Sequence, residues 1–165
     1  MGMGSRAEGK DTISKGHYSH AEGHRTSATG NSAHAEGLNT KALGHRSHAE
    51  GNSTTAGNIE SGDKGESAHA EGHGTTSSAI ASHAEGESTI ASGGYSHAEG
   101  LRTWATLNAA HAEGGYTKAI GHYAHAEGYY SEATTYYAHV EGQSARAIGI
   151  ASHAEGKGTI ASGEG

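Results

Sequence analysis

A chain of 165 residues has the length of one domain, yet 28 Gly, no Phe, Pro or Cys and an apolar fraction of 32% that is mostly Ala exclude an ordinary globular core. Burying Ala removes little apolar surface at roughly 25 cal/mol per Å², so a lone chain hardly offsets about 1–2 kcal/mol per residue of backbone entropy. The formal charge is −7 with His neutral, no stretch is dense in Lys or Arg and no apolar run is long enough for a membrane span, so neither nucleic acid nor a bilayer is the expected partner of this segment.

In chain order, residues 1–4 read as a short, artificial-looking start, and residues 5–165 as a single repeat domain. From Met3 to Gly163 the sequence fits twenty-three consecutive heptads of the form x-x-[Ser/Thr/Ala]-x-Ala-x-Gly. The fifth position departs from Ala only at Ser14, Asp63, Ser77 and Val140, and the seventh from Gly only at Asn58, Ala79, Leu107 and Thr135. A disordered linker has no reason to keep such discipline, so the repeat is read as folded. Alternate heptads carry Ser/Ala-His-Ala-Glu-Gly, as at residues 19–23, while those between vary, as at residues 26–30. The repeating unit is therefore fourteen residues.

Within a heptad the third and fifth residues share one side of an extended strand and the fourth and sixth the other. The small side of one strand can then pack closely on that of another, and Gly at the seventh position is expected to supply the positive φ of the turn. Two strands and two turns make one coil. About eleven coils stacked at about 4.8 Å give an all-β parallel solenoid of two sheets, roughly 50 Å long. A helix is excluded because apolar residues do not recur at i, i+3 and i+4. Leu107 and Thr135, at glycine positions, mark turns expected to be built differently.

The His-Ala-Glu heptads recur every fourteen residues from His20 to His48, skip twenty-one to His69, and return to fourteen through His153. One extra heptad has entered, most simply at residues 59–65, where Asp63 takes an interior position. As a strand it would carry every later His/Glu pair to the opposite sheet. Residues 59–65 are therefore expected to form a looped-out insertion, after which the coil resumes in phase.

Fourteen-residue coils with a Ser-x-Ala-x-Gly motif resemble the head repeats of trimeric autotransporter adhesins, the YadA-like heads, over nearly the whole chain. The Ser-His-Ala-Glu-Gly variant also resembles repeats of phage tail-appendage and surface proteins of Gram-positive bacteria. The resemblance implies a left-handed parallel β-roll, a homotrimer, and a non-enzymatic structural or adhesive role. In the adhesin heads the residues after Ser and after Ala are typically Val and Ile facing the trimer centre. Here they are His and Glu.

Ten coils present that pair on one face: His20/Glu22, His34/Glu36, His48/Glu50, His69/Glu71, His83/Glu85, His97/Glu99, His111/Glu113, His125/Glu127, His139/Glu141 and His153/Glu155, with Arg6/Glu8 in the first coil. Ten stacked carboxylates would repel one another unless cations lay between them, and His is expected to be that interleaved cation. Such a face is either a solvated surface repeated by duplication or a trimer interface. The interface, with the ladder along a buried axis, is preferred, because the facing strands vary freely at Lys41, Trp104, Glu132 and Arg146 while the ladder does not. A His flanked by carboxylates should then have a raised pKa, provided attraction exceeds desolvation, and stability should peak in mild acid.

Three imidazoles around an axis would suit Zn²⁺, Ni²⁺ or Cu²⁺, but the donors form a column rather than a closed cluster, so no metal and no cofactor is assigned. His17, His24, His45, His73 and His122 are expected in exposed turns. The Thr column from Thr12 to Thr159 invites an ice-binding reading, but it occupies an interior position. Tyr116, Tyr123, Tyr129, Tyr130, Tyr136 and Tyr137 crowd the turns of the C-terminal half, where they either seal contacts between subunits or form an exposed ligand patch. No nucleophile stands out from its repeats, and no catalytic residue is assigned.

The function expected from these observations is a trimeric head or shaft segment on a bacterial surface or a virion, with other copies of itself as first partner. A host receptor, matrix protein or glycan is the further candidate partner. The competing reading is a ligand-binding module, acting through the ladder on metal ions or through the tyrosines on a receptor.

Overall fold

The computed structural model describes residues 2–58 and 65–163. Among them, eleven five-residue strands running from Arg6–Lys10 to His153–Lys157 alternate with eleven two-residue strands running from Ile13–Ser14 to Ile160–Ala161. Each long strand pairs in parallel with the next long strand and each short strand with the next short strand, giving two eleven-stranded sheets in sequential order. The molecule is a two-sheet parallel solenoid with one coil per fourteen residues, as the paired heptads predict.

The alternation of small and large residues sets the interior. Ala21, Ala35, Ala49 and their successors on the long strands, and Ala28, Ala42 and Ala56 on the short ones, are fully buried, with the third-position Ser, Thr and Ala beside them. Val140 is the largest fully buried side chain, so the two sheets approach closely over a thin core. The turns are tied along the axis as firmly as the strands: the amides of Arg25 and Tyr116 donate to the carbonyls of Lys10 and Leu101 in the preceding coil, at 2.9 and 2.8 Å. The buried backbone therefore has partners in strand and turn alike.

The seventh-position glycines divide into two kinds. Those closing the His-Ala-Glu heptads have positive φ, such as +114° at Gly23. Gly16 and Gly30, which close variable heptads, do not. They are glycine because an added Cβ would collide with the carbonyl of the glycine one coil further on. The left-handed bend falls instead on the second heptad position, where nineteen non-glycine residues, among them Asp11, Asn39, Arg102 and Tyr130, lie at φ between 50° and 60°. The expectation that the seventh-position glycine supplies the positive φ of the turn therefore holds for the His-Ala-Glu heptads and is corrected for variable heptads such as those closed by Gly16 and Gly30. At Thr135, one of the two suspect turns, the hydroxyl donates to the carbonyl of Gly149 at 2.6 Å, so the larger residue is accommodated by a bond to the next coil.

The insertion expected at 59–65 lies, apart from Gly65, outside the described residues. On either side of it, His48 pairs with His69 and Thr55 with Thr76, the register found everywhere else.

Candidate functional site

In-register parallel pairing decides how the ladder is laid out. Arg6 and then His20 through His153 occupy equivalent positions on successive long strands, and so do the glutamates two residues on. Histidine therefore stacks on histidine and glutamate on glutamate, in two adjacent columns. The expected alternation of cation and carboxylate along the axis does not occur, because a residue meets its own counterpart one coil away. Imidazole centroids follow one another at 4.6–5.0 Å, some pairs nearly parallel, as His111 over His125. Within a coil, His Nε2 and Glu Oε2 stand 3.4–3.8 Å apart from the first His/Glu pair, His20 and Glu22, to that of His125 and Glu127, too far for a good hydrogen bond.

The chain taken singly leaves the ladder on its surface; the buried axis expected from the sequence concerns three chains together. Glu22, Glu36, Glu50, Glu85, Glu99, Glu113, Glu127 and Glu155 are exposed, as is His153 in the last coil, while Glu71 and Glu141 are half-buried. The reason lies in the pleat. The alanine, or in one coil Val140, between each His and Glu points into the solenoid, so its two neighbours must point out of it, and among the described residues nothing lies over that face.

The electrostatics follow from the stacking. Burial, and then the imidazoles above and below, hold His34, His69 and His139 below the ordinary histidine value, and the glutamates beside them only partly oppose this. The raised values expected for a charge-alternating ladder are thus reversed for these three. The Nε2 atoms of nine ladder histidines, His20 to His139, are shielded from solvent and have no hydrogen-bond partner. Yet the imidazoles as wholes remain 33–38% exposed from His20 to His125, and the glutamates beside them 47–52%. A face that is partly desolvated and partly open is one on which another surface can complete the polar partnerships.

Two groups of donors come close enough for a metal ion, His139/Glu141/His153 and Glu8/His20/Glu22, their ligand atoms lying within 4.8 Å of one another. Of the histidines expected in turns, His24 and His73 instead close long strands. His17 and His45 do lie in turns, where their Nδ1 atoms accept from the amides of Met3 and Asn31 at 3.0 Å.

The tyrosines separate into two clusters on the two turn edges of the coil. Tyr116 stacks on Tyr130 at 4.7 Å, with Tyr129 set edgewise against both. On the other edge Tyr123 stacks on Tyr137 at 5.3 Å, beside Tyr136 and His122. Loss of hydration, and then the neighbouring Tyr129 and Tyr116, push the Tyr130 phenol up. The threonines from Thr26 to Thr117 are buried, which removes the flat exposed array an ice-binding surface needs.

In sequence, Arg102, Trp104 and Lys118 are simply residues of the variable heptads. In the structure the second and fourth positions of those heptads stand in adjacent columns and border a groove of about 490 Å³. The fourteen-residue spacing of Arg102, Tyr116 and Tyr130 is the signal that marks it, but their shared column needs the register of the coils to be known.

The family model for the YadA head domain repeat matches this chain twice, at residues 35–56 and 141–164. The match and the solenoid together fit a YadA-like head repeat. No curated protein gives a significant match.

Proposed function

We propose, from the premise that this chain is built of YadA-like head repeats, that it is a non-enzymatic head or shaft segment of a bacterial surface adhesin or a phage tail appendage, and that three copies associate through the His/Glu ladder. The observation that carries this reading is the contrast between the two outward faces. The long-strand sheet presents the same His and Glu in every coil after the first. The short-strand sheet presents Ile13, Ser27, Lys41, Thr55, Thr76, Ile90, Trp104, Lys118, Glu132, Arg146 and Ile160 at its equivalent position. A uniform, half-desolvated column suits contact with copies of itself, since a column set along a three-fold axis meets the same column of the other two chains. A variable face suits contact with whatever the segment meets outside.

The thin alanine core supports the same reading, because a second layer of burial between chains adds the apolar and hydrogen-bonded contact that one chain lacks. Such an assembly projects and binds, and places the segment outside the cell or on a virion.

Light scattering with an absolute mass tests the proposal. The expected mass is three times the 16.7 kDa of one chain, and a folded species of a single chain would overturn the reading. His97→Glu together with His111→Glu, which set new carboxylates beside the glutamate column, should dissociate the assembly, whereas Ser27→Glu on the other sheet should leave its mass unchanged. Equal behaviour of the two variants would remove the ladder from the interface.

A further inference from the structure

On the flank of the solenoid away from the ladder, two neighbouring columns break the monotony of the repeat. The second heptad position carries Arg102, Tyr116 and Tyr130 in successive coils, and the fourth carries Trp104, Lys118 and Glu132. Between them runs the groove of about 490 Å³, continuing over Ile90 and past the small residues of the coils before it. It spans five coils, about 19 Å at the strand spacing. Trp104 is 42% exposed, and Tyr116 and Tyr130 stack face to face along one wall.

The charge of the groove is opposite to that of the chain. Glu132 is its one carboxylate among the described lining residues, and it is taken up by Lys118 at 3.1 Å and Arg146 at 3.3 Å. Arg102 lies over the Tyr116 ring, 5.6 Å from its centroid, and has no carboxylate partner among the described residues. Lys118 also stands 5.3 Å from the Trp104 ring centroid. A net positive, aromatic-walled groove on a chain of charge −7 is built for an anion with flat apolar faces.

We propose that this groove binds a linear acidic oligosaccharide, one pyranose face laid on Trp104, the neighbouring sugars running along the edges of the Tyr116/Tyr130 stack, and a carboxylate paired with Arg102. A pyranose unit is of similar length to one coil step, so consecutive sugars meet consecutive coils. An extended peptide adding as a strand is disfavoured, because the amides along this flank are already spent within the solenoid: Arg102 donates to Glu87, Tyr116 to Leu101 and Trp104 to Thr117. A single-stranded nucleic acid would need several phosphates neutralised, and the groove holds one unpaired guanidinium. The proposal rests on the adhesive reading above only in requiring that this flank face outward.

Trp104 is the sole tryptophan of the chain, so its emission reports the groove alone. The intact protein is titrated with a hexamer of galacturonic acid and a hexamer of N-acetylneuraminic acid, with cellohexaose as the neutral control and decathymidylate as the nucleic-acid control. At least one acidic hexamer should give a saturable change in emission, with cellohexaose at least about tenfold weaker. Arg102→Ala should weaken the acidic hexamer by about tenfold or more, the ordinary cost of losing a charged hydrogen bond. In calorimetry Trp104→Ala should abolish its heat of binding while circular dichroism shows an unchanged fold. No saturable change with either acidic hexamer at millimolar concentration, equal affinity for cellohexaose, an unaffected Arg102→Ala variant, or tighter binding of decathymidylate would each overturn the proposal. The mass by light scattering is read separately, so a failed groove and a failed trimer give different results.

Discussion

Buried hydroxyls are the residues whose contribution is least obvious from the repeat. Thr26, Thr40, Thr54, Thr75, Thr89 and Thr103 lie in the core with hydroxyls that have no hydrogen-bond partner, whereas Ser47 donates to the carbonyl of Gly44 at 2.7 Å. Thr54→Val, of nearly the same shape, should therefore leave the melting temperature unchanged or raise it, because it removes an unpaired polar group from an apolar site. Ser47→Ala should lower stability by about 1 kcal/mol through the lost bond. Denaturant titration of both variants decides the matter: a Thr54→Val cost exceeding that of Ser47→Ala would mean that the threonine hydroxyls are partnered. The inward positions were legible in the sequence because strands alternate with a period of two. The left-handed second position was not, since Tyr, Arg and Ser there look like ordinary turn residues. The one trace it leaves is that none of the twenty-three residues at that position is β-branched, as expected where φ is positive.

Between strands, register governs the chemistry. A parallel in-register sheet sets each imidazole against another imidazole, and that single fact turns the expected pH response around. His34 faces His20 and His48 along the column with Glu36 and Glu22 beside it, and His69 faces His48 and His83 with Glu71 and Glu50. Desolvation and the flanking imidazoles outweigh the carboxylates and lower both values. Exposure explains the weakness of the carboxylates: in the single chain Glu22, Glu36 and Glu50, and further along the column Glu85, Glu99, Glu113, Glu127 and Glu155, stand in water, which screens their attraction. A depressed folded pKa means that the folded state binds fewer protons than the unfolded chain. The stability so contributed is complete above the unfolded value of about 6.5 and is lost as pH falls through the folded values. Melting temperature should accordingly decline from near neutrality into mild acid, and His34→Gln with His69→Gln should flatten that decline. A maximum of stability below pH 6 would overturn this reading and mean that the ladder histidines are stabilised in their charged form. The ladder's residues and spacing were plain in the sequence. Which neighbour each residue meets was not, because heptad counting fixes the sheet but leaves the partner across it to the pairing.

At the scale of the whole molecule a solenoid is nearly one-dimensional, each coil touching only its neighbours, so phase matters more than length. Odd and even heptads build different sheets: His-Ala-Glu-Gly ends in the five-residue strand, and the variable heptad in the two-residue strand. Deleting fourteen residues, such as 87–100, removes one whole coil and should leave a shorter solenoid with its ladder continuous. Deleting the seven residues 87–93 should move His97 and every later ladder histidine to the short-strand sheet, splitting the ladder between two faces. Residues 59–65 are the one heptad whose loss should be harmless, since His48 already pairs with His69 across them and Asn58 would then occupy the glycine position before Glu66 and Ser67. The three deletions are compared by circular dichroism, melting temperature and absolute mass. Deletion of 59–65 and of 87–100 should preserve the β signal and the mass state of the parent, while deletion of 87–93 should lose the assembly and melt lower than the larger deletion. A 59–65 deletion that fails to fold would make that heptad a working part of the solenoid, and an 87–93 deletion as stable as 87–100 would show that the two sheets are interchangeable and that the ladder's single face carries no structural weight.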